Sequence, residues 1–297
     1  MKATLLLVDA YSMIYRAFFA IRSLSGPDGQ PVNAIFGFTK MLRKLFASYH
    51  PTHCGVVFDL GAPRQRLAVL PSYKEQRPPT PPDLDAQVPS IRTIVTALGV
   101  AIVEIEGEEA DDIIATLAVH AAADGTRVLI ASNDKDFTQL VRPGIELLRA
   151  NAEPEAVFDA EAVRSRYGVK PEQIVDFLSL VGDSVDNIPG APGIGKKTAA
   201  ELLQRFGTLE TLLSRTSEIS RAKVRDTLLA SADRLRLNQA LITLRTDLSL
   251  PVVWSELKVR RPEYEQLVGE LKRLGFRSLV TELENEAGPA DDLFLRL

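Results

Sequence analysis

Residues 126 to 136 read TRVLIASNDKD, an apolar run that fits a buried strand followed at once by Asp134 and Asp136. A continuous apolar stretch of this kind is what a strand covered on both faces requires. The same pattern occurs at residues 3 to 9, where ATLLLV ends at Asp9, and at residues 53 to 59, where HCGVVFD ends at Asp59. A fourth copy, VAIVEIEG at residues 100 to 107, precedes Glu108, Glu109, Asp111 and Asp112. Helical patterns lie between these runs: residues 12 to 21; residues 33 to 48, with Ile35, Phe38, Met41, Leu42 and Leu45 at helical spacing; IRTIVTALG, closing on Gly99; and residues 111 to 123, ending at Asp124-Gly125. Strands alternating with helices, each strand delivering acid at its C-terminal end, predict an open α/β sheet with its ligand site along that edge.

With 297 residues, 45% of them hydrophobic, the chain is long enough to bury one large or two smaller cores. No run of 18 apolar residues occurs, and Met1-Lys2 leads straight into a strand pattern with no cleavage site, so a soluble protein of the cytoplasm is expected. The lone cysteine, Cys54, excludes an internal disulfide and a cysteine-based metal site, and the three histidines lie apart from every motif. The net charge of −4 speaks against a nucleic-acid partner only until the acids are sorted. Setting aside nine carboxylates that would cluster leaves 30 of the 39 acids against 35 basic residues, so bulk charge does not exclude DNA.

Between the second strand and the helix ending at Gly99 runs RQRLAVLPSYKEQRPPTPPDLDAQVP, residues 64 to 89. Five prolines from Pro78 to Pro89 predict extended or irregular backbone, and Arg64, Arg66, Lys74 and Arg77 make the first half basic. Such an excursion is either a plain surface loop or a gate over the acids. From about Pro171 the chain reads as helix throughout, apart from a weak strand pattern, LPVVW, at residues 250 to 254. We expect this second lobe to pack against the acidic edge of the sheet.

Residues 182 to 203, GDSVDNIPGAPGIGKKTAAELL, place two functions side by side. Asp183 and Asp186 come first. Gly190, Gly193 and Gly195 then permit φ > 0 turns before a helix that begins with Lys196 and Lys197, whose free N–H groups form an anion site. The segment nearly spells a phosphate-binding P-loop, but Lys197 stands where a hydroxyl is required and no buried strand precedes it.

Each acid has an ordinary explanation alone: Asp134 as a helix cap, Asp111 and Asp112 at a helix N-terminus, Asp9 in an Asx-turn. Together, Asp9, Asp59, Glu109, Asp111, Asp112, Asp134, Asp136, Asp183 and Asp186 would converge from five segments and repel strongly without counterions. An oxygen-only set without His or Cys specifies Mg²⁺ or Mn²⁺. A pair of such ions about 4 Å apart hydrolyses phosphodiesters by activating water and stabilising the leaving oxygen.

The chain resembles the 5′ nucleases of the flap endonuclease superfamily, in particular the 5′–3′ exonuclease domain of bacterial DNA polymerase I. The resemblance spans roughly residues 4 to 283 and rests on motifs in order: LLVDAYSMIYRAFFAI, NAIFGF, VVFD, SYKEQRPPTPPDL, GEEADD, SNDKDFTQL, GDSVDNIPGAPGIGKKTA and LGFRSL. It implies an α/β fold with a mostly parallel central sheet flanked by helices, a PIN-like core over residues 1 to 170. A gateway is inserted at about 62 to 90, and a helical DNA-binding lobe follows over 171 to 284, with a helix–hairpin–helix at 188 to 203. Residues 285 to 297 would be a tail or linker. The first metal cluster would be Asp9, Asp59, Glu109, Asp111 and Asp112, extended by Asp134, Asp136, Asp183 and Asp186 to a second ion.

Under the same resemblance, Lys74 and Arg77 hold the scissile phosphate beneath the gateway, on one face if that segment is helical, and Tyr73 is a further DNA-binding residue. Tyr15 and Arg16 lie near the duplex end, Tyr15 stacking on a base. Gly190, Gly193, Gly195, Lys196 and Lys197 grip the duplex backbone, with K⁺ at the hairpin. Lys74, Arg77, Asp134 and Asp183 carry the cleavage step. Two positions depart from the family pattern: Ala10 replaces a common Gly, and Pro63-Arg64-Gln65-Arg66 replaces a Thr-Phe-Arg run, leaving Arg66 without an assigned role. The expected protein is a Mg²⁺-dependent, structure-specific 5′ nuclease of DNA, monomeric, at the bacterial nucleoid, working with a polymerase in cis or in trans. The rival readings are a P-loop nucleotide hydrolase and a non-catalytic DNA-binding module.

Overall fold

The computed structural model describes residues 3–149 and 157–286. The chain opens with β1 (Thr4–Asp9), α1 (Ala10–Ala20), α2 (Asn33–Tyr49) and β2 (His53–Val57). Three helices, α3 (Arg64–Val69), α4 (Pro82–Asp85) and α5 (Val88–Ala97), lead to β3 (Ala101–Val103), α6 (Ala110–Ala123) and β4 (Arg127–Ala131). After β5 (Ile145–Leu148) and the short β6 (Val157–Phe158) come α7 (Ala160–Tyr167) and α8 (Ile174–Val181). The hairpin of β7 (Gly182–Asp183) and β8 (Ile188–Pro189) precedes α9 (Lys196–Phe206), α10 (Leu209–Ser214) and α11 (Ala222–Ile242), then α12 (Tyr264–Arg273) and α13 (Arg277–Glu286).

The main sheet has the order β3-β2-β1-β4-β5-β6, parallel except for β6 against β5. The order reverses beside β1: the chain moves outward through β2 and β3, then crosses back to place β4 on the other side of β1. At such a switch point the connections leave in opposite directions and open a crevice at the strand C-termini. Asp9 ends β1 there, and the acids after β2 and β4 fall at the same edge because their registers with β1 align.

Successive residues of a strand face opposite sides, and β1 divides its apolar residues accordingly. Leu5 and Leu7 join one core with Ile113 and Leu117 of α6 and with Phe177, Leu203 and Leu235 of the helical region. Leu6 and Val8 join a second core with Phe38, Ile94, Leu271 and Leu283. Helices α8 to α11 therefore extend the α6 face, whereas α12 and α13 cross to pack with α2 and α5 on the other. Burial of this many Leu, Ile and Phe side chains, at about 1.5–3 kcal/mol each, is the dominant force fixing that arrangement.

Three local expectations change. Residues 250 to 254 form no strand: Pro251 lacks a ladder donor, Trp254–Glu256 makes a 3₁₀ turn, and the chain instead meets β2 just beyond it, with Cys54 N donating to Leu257 O at 2.8 Å. The proline-rich excursion is not wholly irregular. Pro82 opens α4 and Pro89 lies in the first turn of α5, where a missing N–H leaves no helical bond unmade. Asn285 and Glu286 complete α13, and the remainder of the expected tail lies outside the described residues. Among the described residues no helix is long and apolar enough to cross a membrane.

Candidate active site

Asp9 ends β1 and caps α1, its Oδ1 accepting from Ser12 N at 3.1 Å. Its Oδ2 accepts from Ser132 Oγ at 2.7 Å, and the same hydroxyl accepts from Asp134 N at 3.0 Å, so Ser132 joins the ends of β1 and β4. Asp59 reaches across from β2 and accepts from Ala110 N at 2.9 Å, an N-terminal amide of α6. Glu109 occupies the N-cap position of α6, and Asp111 and Asp112 lie in its first turn. Asp134 Oδ1 accepts from Asp136 N at 2.9 Å, a local turn that aims Asp136 inward.

The helical region supplies the last two acids. Asp183 lies on β7 with Oδ1 accepting from Val185 N at 3.0 Å, and Asp186 follows in the hairpin turn. Asp136, Asp183 and Asp186 are all buried, and one oxygen from each falls within 4.8 Å of the others. Asp136 Oδ1 is buried and, among the described residues, has no hydrogen-bond partner.

This crowding leaves a mark on the acids. Burial, opposed by the bonds from Ser132 and Ser12 and reinforced by Asp59 and Asp134, raises Asp9 to about 7. Burial, then Asp134, Asp183 and Asp186, against the opposing charge of Lys135, raises Asp136 to about 8. Burial also pushes Asp111 well up, with Asp134, Asp9 and Asp59 adding repulsion and Lys74 opposing it. Burial and mutual repulsion at one strand edge thus disfavour the charged form of all three carboxyls.

Cations from the segment after α3 face the acids. Residues 71 to 76 form turns rather than a helix, so Lys74 and Arg77 reach the cluster by a different geometry from helical i, i+3 spacing. Lys74 adopts φ 57°, its N–H donates to Asp186 O at 3.2 Å, and its Nζ pairs with Glu109. Arg77 Nη2 lies 2.6 Å from Asp186 Oδ1. The buried Tyr73 hydroxyl donates toward Asp186 Oδ2 at 3.3 Å, and its ring lies 5.1 Å from Lys74 Nζ. Tyr15 donates its hydroxyl to Thr80 Oγ1 at 3.0 Å and stacks on Phe19, while Arg16 is half-buried on the same helix. The aromatic face of α1 thus meets the proline-rich segment at Thr80, with Phe19 exposed beside it.

Two residues without assigned roles belong to this network. Lys135, between Asp134 and Asp136, pairs with Asp183 and lies 3.7 Å from Asp136 Oδ1. Its signal in the sequence was the alternation DKD itself. Arg66 is 8% exposed and binds Glu109 and Asp112, a contact across 46 residues with no local sequence signal. A cleft of about 780 Å³ opens beside these groups, lined by Gln76, Lys135, Asp183, Asn187 and Lys196 among others.

The hairpin that leads to α9 is built differently from the glycine expectation. Of its three glycines only Gly193 has positive φ, at 78°. Gly190 is required by close approach, because a Cβ there would meet the Val181 carbonyl and the Gly182 nitrogen. Gly195 is the extended N-cap of α9, with no side chain to satisfy the amides behind it. Lys196 and Lys197 are exposed beside those amides. Among the described residues the short β8 pairs only with β7 and lies outside the parallel sheet, which does not favour the P-loop reading.

A doubly wound sheet with acids gathered at its switch point, basic residues facing them, and an amide-presenting hairpin alongside describes an acid-centred α/β protein. Residues 4–168 match the family described as 5′-3′ exonuclease, N-terminal resolvase-like domain, and residues 169–265 match 5′-3′ exonuclease, C-terminal SAM fold. A 5′-3′ exonuclease of Aquifex aeolicus is 39% identical over 281 residues, covering 95% of this chain and 95% of that protein. DNA polymerase I of Bacillus caldotenax is 40% identical over 287 residues, 96% of this chain but 33% of the polymerase, so the chain spans about a third of the polymerase relatives it matches. The T5 D15 protein co-crystallised with metal ions superimposes with a TM-score of 0.69 at 20% identity, covering 94% of this chain and 98% of that one. The catalytic core of Rad2 in complex with DNA substrate does so at 0.61 and 18% identity, over 92% and 88%. These two likenesses are of fold. The chain belongs to the 5′-3′ exonuclease family.

Proposed function

We propose that the chain hydrolyses DNA phosphodiesters at 5′ ends and 5′ flaps, in primer removal and repair, with Mg²⁺ or Mn²⁺ held in the acid cluster. The observation that carries this reading is the meeting of Asp136, Asp183 and Asp186 with the cations Lys74, Arg77 and Lys135 at one strand edge. The residues fit a hard divalent cation: they offer only oxygen, and Asp136 Oδ1 is buried and accepts no hydrogen bond among the described residues. Asp136, Asp183 and Asp186, with Asp134 beside them, would hold one ion, and Asp9, Asp59, Glu109 and Asp111 a second; Asp112, expected in that second set, has both oxygens engaged by Arg66 and by Arg245 N. Ions bound there would supply Lewis acidity and neutralise charge on the phosphate oxygens.

The remaining steps belong to the protein's own side chains. Lys74 and Arg77 now pair with Glu109 and Asp186. From that position the two cations would orient the scissile phosphate. Tyr73 walls the site with its buried ring and keeps the Lys74 ammonium in place. Lys196, Lys197 and the first amides of α9 would hold the duplex backbone through contacts that carry no sequence information, and K⁺ bound at the hairpin would supply further positive charge there. Tyr15 and Arg16 lie where the duplex end would meet α1. A polymerase acting in cis or in trans would consume the gap, at the bacterial nucleoid.

Labelled 5′-flap, nicked and RNA-primed duplexes, incubated with Mg²⁺ or with chelator, test the reading. Cleavage is expected only with the ion, and Asp183→Ala is expected to abolish it while duplex binding persists. Turnover near that of the unmodified protein in Asp183→Ala would overturn the assignment of the acids.

A further inference from the structure

Asp111 and Asp112 are neighbours in sequence, but adjacent residues of a helix point about 100° apart. Asp111 faces the acids, with Asp134, Asp9 and Asp59 as its charged neighbours. Asp112 faces away from that group into a buried site, at 2% exposure, and meets an arginine. Its Oδ2 accepts from Arg66 Nη1 at 2.5 Å, and its Oδ1 accepts from Arg66 Nη2 at 2.9 Å and from Arg245 N at 2.9 Å. Three donors thus engage the two oxygens, whereas Asp136 keeps an oxygen with none.

We propose that Arg66 is a positioning residue and that Asp112 serves it rather than a metal ion, the two forming a buried strut that orients Glu109. The proposal rests on reading the acid cluster as a metal site. Arg66 uses its whole fork: Nη1 also binds Glu109 Oε2, and Nε donates to Leu241 O at 2.9 Å. One side chain therefore ties the base of the gateway, at α3, to the start of α6 and the end of α11. Glu109 is held between Arg66 on Oε2 and Lys74 on Oε1, so its direction toward the cluster depends on both. Arg245 closes the network from the far side, with Nη1 2.9 Å from Glu108 Oε2. The planar guanidinium meets these three partners at once, which a lysine ammonium at the same place does not.

Mn²⁺ titration read by the EPR signal of the free ion, with thermal melting in chelator, tests the strut on the full chain and on Asp112→Asn, Arg66→Lys, Arg66→Met and the Arg66→Met/Asp112→Asn pair. Asp112→Asn is expected to bind as many ions as the unmodified chain, with affinity lowered about tenfold, as for residues that orient a ligand rather than being one. Arg66→Lys is expected to lower affinity similarly, because the fork rather than the charge is required. Arg66→Met leaves a buried carboxylate unpaired, so the double variant is expected to melt above Arg66→Met alone. One fewer ion bound by Asp112→Asn, or strictly additive melting losses, would overturn the strut. If Arg66→Met does not fold, the same cycle built on Arg66→Lys decides between coupled and additive losses. Absence of Mn²⁺ binding in the unmodified chain would instead refute the metal reading, and the chelator melting cycle would still decide the strut.

Discussion

Replacing each hairpin glycine by alanine separates three physical reasons for glycine within six residues. At Gly190 the added Cβ would lie 2.6 Å from the Gly182 nitrogen and closer still to the Val181 carbonyl. These obstacles are main chain, so no rotamer change relieves them, and the end of α8 must move away from the hairpin. Overpacking of a tight site costs about 1–3 kcal/mol even where side chains can yield, so we expect Gly190→Ala to lose about 3 kcal/mol or more. At Gly193 there is open space around the Cβ but φ is 78°, and the left-handed conformation costs a residue with a side chain about 1–2 kcal/mol. Gly195 has open space and φ −89°, and loss of a glycine N-cap to alanine costs no more than about 1 kcal/mol. Urea denaturation orders the three stabilities, and fluorescence anisotropy with a labelled duplex orders the affinities. Both are expected to rank Gly190→Ala as the most damaged. An unfolding midpoint for Gly190→Ala equal to that for Gly195→Ala would refute the close-approach argument.

Three further outcomes follow from the site. Because Asp9 and Asp136 are raised in the folded chain to about 7 and about 8, stability present below the ordinary value of 3.8 is lost as pH rises through those values. Melting temperature in chelator should therefore fall between about pH 4 and pH 8, and saturating Mg²⁺ should abolish the fall; a flat profile in chelator would contradict the crowding. Lys74→Ala should slow single-turnover cleavage about 10²-fold or more while weakening duplex binding much less, consistent with a charge used on the reacting phosphate. Equal losses in both would place Lys74 in general binding. Replacing Lys196 and Lys197 together by Ala should flatten the log affinity against log salt slope by about 1.8, the release expected for two phosphate contacts, and an unchanged slope would remove both from the duplex surface.

Much of the site was legible because parallel strands covered on both faces appear as apolar runs, and acids at their ends share one edge whatever the strand order. Asp9, Asp59, Asp134 and Asp136 could be placed on that argument alone. What it could not distinguish was direction within a cluster. Asp111 and Asp112 look equivalent in GEEADD, and only the turn of α6 sends one toward the acids and the other toward Arg66. The segment after α3 showed the same limit: its basic character was evident, but Lys74 reaches Glu109 through turns and a left-handed residue rather than along a helix.

The chain by itself determined the alternation of strands and helices, the acids at strand ends and the hairpin with its exposed lysines, since each follows from local periodicity or local backbone freedom. Only the tertiary structure decided which core each helix joins, sending α12 and α13 to the opposite face of the sheet from α8 to α11. It alone brought Arg66 to Leu241 across 175 residues and Lys135 to Asp183 across 48. Contacts of that separation depend on strand order and on which face each strand residue presents. Those properties arise when the chain buries both faces of its sheet at once, and no local pattern carries them.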